Sequence, residues 1–447
     1  MLDSRALTKV QSAVLIVTVL FAAIVGGGAY TLWKAAQPAP EAIRIGVCAD
    51  LDNHVGGGIW QAATLAAEQV NAEGGVLGRN FTIVAEDDDD ESGGGLEVLS
   101  RAMTRLISVD NATYVISGAI GATPIFTHQD ICAELKTIMF GVKGANLEFT
   151  QRVLDDYDRY KYYFHVWERN STVFAATFLE NILTVRNYTG FNKVALLFVD
   201  GTATKQMMAY LNSTLSASGF EIVYSKLYSA RVTDFTSYFA AVEESGAEIF
   251  APLIMGGCVP FVKEWYDRQS PLILCGSFGD AEDPGFWELT EGKCEGVCFM
   301  GIPMIAGYPW TSKTLPMWDA YLERWGSLPV ESNVVAAYDC VRFILPDAIR
   351  RAGTTETEAV IKALESTNVE TSMARNFVFT TSHDILFSTL APQEHDEDHV
   401  MICMFQWQAN ATQAIVGPEH LMQEIGNSYQ YPSWEGPWSK QSLTETD

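Results

Sequence analysis

Between residues 43 and 86 the hydrophobic pattern changes period twice. Ile43, Ile45 and Val47 alternate with polar or small neighbours, as a strand does. Ala62, Leu65, Ala66, Val70 and Ala72 then recur near helical spacing. Gly74, Gly75 and Gly78 end that helix and turn the chain, because glycine takes positive φ without steric cost. A second strand is expected over residues 80–86. The unit is β–α–β, and the loop after its first strand belongs at the carboxyl edge of a parallel sheet, where α/β folds place ligands.

The alternation continues down the chain. Strand-like runs fall at 114–116, 137–140, 193–198, 221–224, 249–254 and 272–275, with helical runs such as 173–184, 205–216 and 235–245 between them. This order predicts parallel sheets sandwiched by helices. The strands outnumber those of one small doubly wound domain, so the expected fold class is α/β with two Rossmann-like lobes. Residues 376–380 and 400–405 read as strands flanking an acidic hairpin loop, His395 to His399.

Residues 13–33 follow a different pattern: 21 positions without a charge. At about 1.5 Å per residue they span about 30 Å, the thickness of a bilayer core. Arg5 and Lys9 precede them, which favours a cytoplasmic N-terminus (1–12), an uncleaved transmembrane anchor (13–33) and a short linker (34–41) before an exported body.

Composition narrows the function classes. The 447 residues suffice for two domains, and 48% hydrophobic with 19% charged residues fits a folded body. A net charge of −26 excludes a nucleic-acid partner, since a polyanion would be repelled. Asn80, Asn111, Asn170, Asn187, Asn212 and Asn410 each stand two residues before a threonine. Chance would supply about two such sequons. The excess suggests a glycosylated surface protein on an archaeal or eukaryotic exterior. Eight cysteines allow 105 complete pairings. Cys258 and Cys275, which close successive predicted strands, are the candidate disulfide.

The stretch Asn71-Ala72-Glu73-Gly74-Gly75-Val76-Leu77-Gly78, with the acidic strand end Glu86-Asp87-Asp88, resembles the opening of the type I periplasmic binding proteins. The likeness is to their branched-chain amino-acid-binding branch. Four later pieces fit in order: 114–118, Gly144-Ala145-Asn146, Ala337-Tyr338-Asp339 leading to Ala352-Gly353, and Phe405-Gln406-Trp407. The resemblance implies two lobes joined by a three-segment hinge. Lobe 1 is 42–165 plus 298–378, lobe 2 is 166–297 plus 379–430, and 431–447 is a C-terminal tail with a disordered end. It also implies the substrate-binding subunit of an ABC importer, with permease and ATPase partners and no cofactor.

Carried over residue by residue, the resemblance gives a ligand site. On lobe 1 the loops 118–123 and 144–146 would hold a ligand carboxylate, through Ala122, Thr123, Gly144 and Ala145. Asp52, Asn53 and His54 follow the first strand, Trp167 and Glu168 enter lobe 2, and Thr204 follows Asp200-Gly201. On lobe 2, Met255 lies where relatives place a tyrosine, and Phe278 where amino-acid binders place a carboxylate. Asp280 stands two residues on. A phenyl ring cannot pair with a desolvated ammonium group, so an α-amino-acid ligand is open to question.

Catalytic signatures are missing: the sequence has no GxSxG, HExxH or P-loop. The run 86–91 lacks the spacing of a calcium loop. His383-Asp384 and the HDEDH run suggest metal at first sight, but an acidic loop explains them more simply. The expected function is a membrane-tethered receptor for a small polar metabolite. Alternatives are a ligand-sensing ectodomain that signals through a partner and a metal-dependent surface enzyme on the HDEDH loop.

Overall fold

The computed structural model describes residues 41–90, 93, 95–167, 170–255, 257–302, 308–388 and 398–440. The anchor, nearly all of the linker, Glu168, most of the HDEDH run and the tail beyond 440 lie outside the described residues. Among those described, no helix is long and apolar enough to cross a membrane.

The first sheet is built from β1 (Ile43–Ala49), β2 (Phe81–Asp87), β3 (Tyr114–Ser117), β4 (Ile138–Gly141) and β5 (Tyr163–His165). They lie in the order β2-β1-β3-β4-β5, all parallel. Ile43, Ile45 and Val47 are fully buried, and so are Cys48 and Ala49 on the same strand. Burial on both faces is what a parallel strand between helical layers requires. The helices that position the site here are α1 (His54–Ala72), α2 (Gly95–Ser108), α3 (Ala122–Leu135) and α4 (Glu148–Asp155). Asn53 caps α1: its side chain accepts from the Val55 N–H at 2.9 Å. Gly75 makes the turn beyond α1 at φ 74°, where a Cβ would sit 2.2 Å from the Arg79 carbonyl oxygen.

The second sheet contains β6 (Lys193–Val199), β7 (Glu221–Tyr228), β8 (Ile249–Ile254), β9 (Ile273–Phe278), β10 (Cys298–Gly301), β11 (Cys403–Gln408) and β12 (Thr412–Gly417). Its order is β12-β11-β10-β9-β8-β6-β7, parallel except that β11 runs antiparallel to both its neighbours. Around it pack α5 (Ser171–Thr189), α6 (Thr202–Ala217) and α7 (Cys258–Asp267).

Several expectations need correction. Residues 298–301 belong to lobe 2, because β10 pairs with β9; Ile302 enters the lobe 1 core, while Tyr308 and Trp310 still pack with lobe 2. Phe379, Ile385 and Val400 also pack in lobe 1, so the return to lobe 2 falls at about Met401 and not at 379. Residues 376–380 form isolated bridges to Val369 and Ile385 in place of a strand, and Val400 bridges Phe387 in parallel, so the hairpin does not form.

The tail up to Trp438 is packed core. The Trp434 ring meets Trp265 at 4.7 Å and Tyr266 at 5.3 Å, and its Nε1–H donates to the Ser270 carbonyl at 3.1 Å. All eight cysteines are free and buried. Cys258 opens α7 with its thiol towards the Ile254 carbonyl, whereas Cys275 sits within β9 beside Cys298 and meets Met404 Sδ at 3.8 Å. The Cys258–Cys275 pair is therefore not joined.

Candidate functional site

The parallel strands of both sheets end in loops that open helices, so backbone N–H groups and side chains gather at their carboxyl edges. A cavity of about 340 Å³ lies where the two lobes meet. Lobe 1 supplies Asn146, Leu147, Glu148 and Gln151, from the loop after β4 and from α4. Lobe 2 supplies Ser171, Thr172 and Ala175 of α5 and Ala203, Gln206, Met207 and Tyr210 of α6. Amides, hydroxyls and one carboxylate share this wall with Met207 and the half-exposed ring of Tyr210. Such a lining suits a small molecule with both polar and apolar parts.

Gly144 sets the shape of the lobe 1 wall. Its φ is 87°, and a Cβ there would lie 2.4 Å from Ile125 Cδ1 and 2.8 Å from Phe149 Cε2. Its carbonyl accepts from His165 Nε2 at 3.0 Å. The other ring nitrogen of His165 lies 2.7 Å from Asp384 Oδ1, and Asp384 Oδ2 accepts from Asn170 Nδ2 at 2.9 Å. Asn170 Oδ1 in turn takes the Thr172 and Val173 N–H groups that open α5. A continuous polar chain thus runs from one wall of the cavity to the other through the hinge. With its amide committed at both ends and only 8% exposure, Asn170 cannot serve as a glycan acceptor. Asn80, Asn111, Asn187 and Asn410 are exposed, and Asn212 is half-buried.

His383 also joins the hinge instead of a metal cluster. Its ring stacks on Phe164 at 4.1 Å, Nδ1 donates to the Tyr163 carbonyl at 3.0 Å and Nε2 faces Glu365 at 3.2 Å. Burial lowers its pKa and outweighs these partners.

The sequence-derived residues divide. The Gly144 to Asn146 loop and the start of α6 come together at the cavity. Thr204 itself does not line it, because its hydroxyl donates to the Val199 carbonyl at 2.6 Å. Ala122 and Thr123 are exposed at the start of α3, and Met255 is exposed at the end of β8. The half-buried Trp167 donates to Ser332 Oγ at 3.2 Å. Phe278 is a correction: its ring is 4% exposed and packs on Phe261 at 6.0 Å, so it belongs to the lobe 2 core. Asp280 is half-buried beside Cys258, whose thiol is pushed up to about 12, by burial first and Asp280 second.

Sequence reasoning missed Gln151, Ser171, Thr172, Gln206, Met207 and Tyr210. They sit on helices as ordinary mixed-polarity positions; only Ser171 and Thr172 fall in a motif, the Asn170 sequon, and it does not point to a ligand.

A family model described as periplasmic binding protein matches residues 42–390. The chain belongs to that family, in its type I form. Among solved structures this binding protein is similar to one from Silicibacter pomeroyi, described provisionally as a branched-chain amino acid ABC transporter. The two share 17% identity over 88% of this chain and 100% of that one, with a TM-score of 0.73. It is also similar to the substrate-binding protein LivJ from Streptococcus pneumoniae in complex with isoleucine: 15% identity, 83% and 97% coverage, TM-score 0.66. A third is a solute-binding protein of an ABC transporter from Rhodopseudomonas palustris in complex with 3,4-dihydroxybenzoic acid: 17% identity, 83% and 95% coverage, TM-score 0.65. No curated protein sequence matches the chain. At these identities the structural likeness carries the fold, and ligand chemistry must be argued from this chain's own residues.

Proposed function

We propose that this protein is a solute receptor that captures a small polar metabolite between its lobes and delivers it to the permease and ATPase of an ABC importer. The observation that carries the reading is the cavity of about 340 Å³ with one wall from each lobe. A ligand touching both walls binds the closed arrangement better than the open one and shifts the lobes towards closure by that difference.

The ligand class follows from the lining. Gln151, Gln206 and Asn146 offer amide donors and acceptors, while Met207 and Tyr210 offer apolar surface. Amides and other small polar molecules with a short apolar body fit this set, and Glu148, its one charged side chain, disfavours a bare carboxylate. The structures similar to this one hold an aliphatic amino acid in one case and an aromatic acid in another. Phe278 is core and lines no part of the cavity, so it does not exclude an ammonium group, for which Glu148 is the carboxylate at hand.

The charge-free stretch 13–33 would tether the receptor to the membrane with its body outside the cell, and the exposed sequons are compatible with a glycosylated exterior. The test of binding is a thermal-shift screen of the full chain with amino acids, short amides, urea, and aliphatic and aromatic acids. A ligand at about 100 times its Kd adds about 2.7 kcal/mol of stability. A small uncharged or amino-bearing metabolite should give the largest shift. An anionic acid without an amino group giving the largest shift would refute the preference drawn from Glu148.

A further inference from the structure

We propose that Cys48, Asp88 and His128 form a buried site for one zinc-type divalent cation beneath the carboxyl edge of the lobe 1 sheet. Cys48 is near the end of β1, Asp88 directly follows β2, and His128 lies in α3, so three separate segments converge. All three residues are at most 0% exposed, and their donor atoms lie within 4.8 Å of one another. The group sits in the layer under α2 and α3, where Cys48 packs with Met103 and Cys132, and it shares no residue with the interlobe cavity.

The geometry is close to a ligand shell. Cys48 Sγ and His128 Nε2 are 3.7 Å apart. A sulfur at about 2.3 Å and a nitrogen at about 2.0 Å from a tetrahedral zinc would be about 3.5 Å apart. His128 Nδ1 is held by Ser117 Oγ at 2.9 Å, which turns Nε2 towards the thiol and supplies the outer hydrogen bond that metal-bound imidazoles use.

The independent sign is at Asp88. Its Oδ1 accepts from the Asp90 N–H at 3.3 Å, while Oδ2 is buried with no nitrogen or hydroxyl donor, and the one other side chain bonded to the carboxylate is the Cys48 thiol. A buried carboxylate oxygen without a donor is costly, and a cation would answer it. Sulfur, nitrogen and oxygen together favour zinc over calcium or magnesium, which take oxygen ligands alone. Three protein ligands leave one position for water.

The cation would brace the first lobe. Asp90, two residues beyond Asp88, accepts from the Ile120 N–H at 2.6 Å, and His128 stands on the helix that begins at Ala122. One ion would therefore couple the ends of β1 and β2 to the loop after β3.

The test uses the full chain, stripped with chelator, shown to be folded by circular dichroism and titrated with Zn²⁺ against a chromophoric chelator. Co²⁺ serves as a spectroscopic substitute. The expected result is one zinc per chain, a thiolate-to-cobalt charge-transfer band, and at least ~100-fold weaker zinc binding in His128→Gln. Cys48→Ser should lose the band, while Cys132→Ser, which alters a neighbouring buried thiol, should keep it. Folded wild-type chain that takes up no zinc, or a cobalt complex without the band, would overturn the site. So would zinc bound equally well by Cys48→Ser.

Discussion

His165 Nδ1 stands 2.7 Å from Asp384 Oδ1, with both residues buried at the hinge. The remaining atoms of the pair reach in opposite directions. His165 Nε2 donates to the Gly144 carbonyl in the lobe 1 wall, and Asp384 Oδ2 accepts from Asn170, which caps the helix forming the lobe 2 wall. Both walls of the cavity are thereby anchored to one pair of side chains.

Removing one partner leaves the other buried and uncompensated. Asp384→Ala should cost about 3–5 kcal/mol, read from urea unfolding of the full chain. Asp384→Asn keeps an acceptor and should cost less. Equal stability of all three proteins would show that the pair does not hold the hinge.

Gly144→Ala meets two obstacles: a φ of 87° and a Cβ 2.4 Å from Ile125 Cδ1. Strain and overpacking together should cost about 2–4 kcal/mol, and the displaced wall should weaken ligand binding more than tenfold. Unchanged affinity would separate this loop from the site.

Glu180 on α5 gives a pH prediction. Burial raises its carboxyl from 4.5 to about 7. Above pH 7 the group is ionised in both folded and unfolded chains, and the full cost of burying the charge is present. As pH falls from 7 towards 4.5 the folded chain takes up a proton before the unfolded one, so this contribution makes the protein more stable. Glu180→Gln should remove that slope and gain stability mainly at pH 8. Urea midpoints at pH 5 and pH 8 check it; a variant that parallels the wild type at both would contradict the assignment.

Trp434 ties the tail to lobe 2 through Trp265, Tyr266 and the Ser270 carbonyl. Trp434→Ala should lower stability by about 3 kcal/mol, measured by chemical unfolding. A loss under about 0.5 kcal/mol would mean the tail is ornamental packing.

Most of the fold was legible because each parallel strand is a short β-branched or aromatic run bounded by turn residues. Ile249–Ile254 matches the expected strand residue for residue. The lobe crossings were less legible. Cys298–Gly301 reads as a strand in either lobe, and only its pairing with β9 decides. Phe379 and Ile385 reach lobe 1 through isolated bridges that leave no periodic pattern. Residues 431–447 read as a tail, although the Trp434 indole needs a core and a hydrogen-bond partner.

The candidate site was legible in part where backbone shapes it: of the loop Gly144 to Asn146 only Asn146 lines the cavity, and Gly144 turns the chain behind it. It was illegible where helix faces make it. Gln206 and Tyr210 look like solvated positions until another lobe stands opposite. Cys48, Asp88 and His128 are separated by up to 80 positions, and no local spacing connects them.

Hydrogen exchange of the full chain, with and without the best compound from the thermal screen, tests the account most directly. Capture between the lobes predicts slower exchange over residues 146–151 and 203–210 together, at one ligand per chain. Protection of only one of these segments, or of neither at saturating ligand, would contradict it.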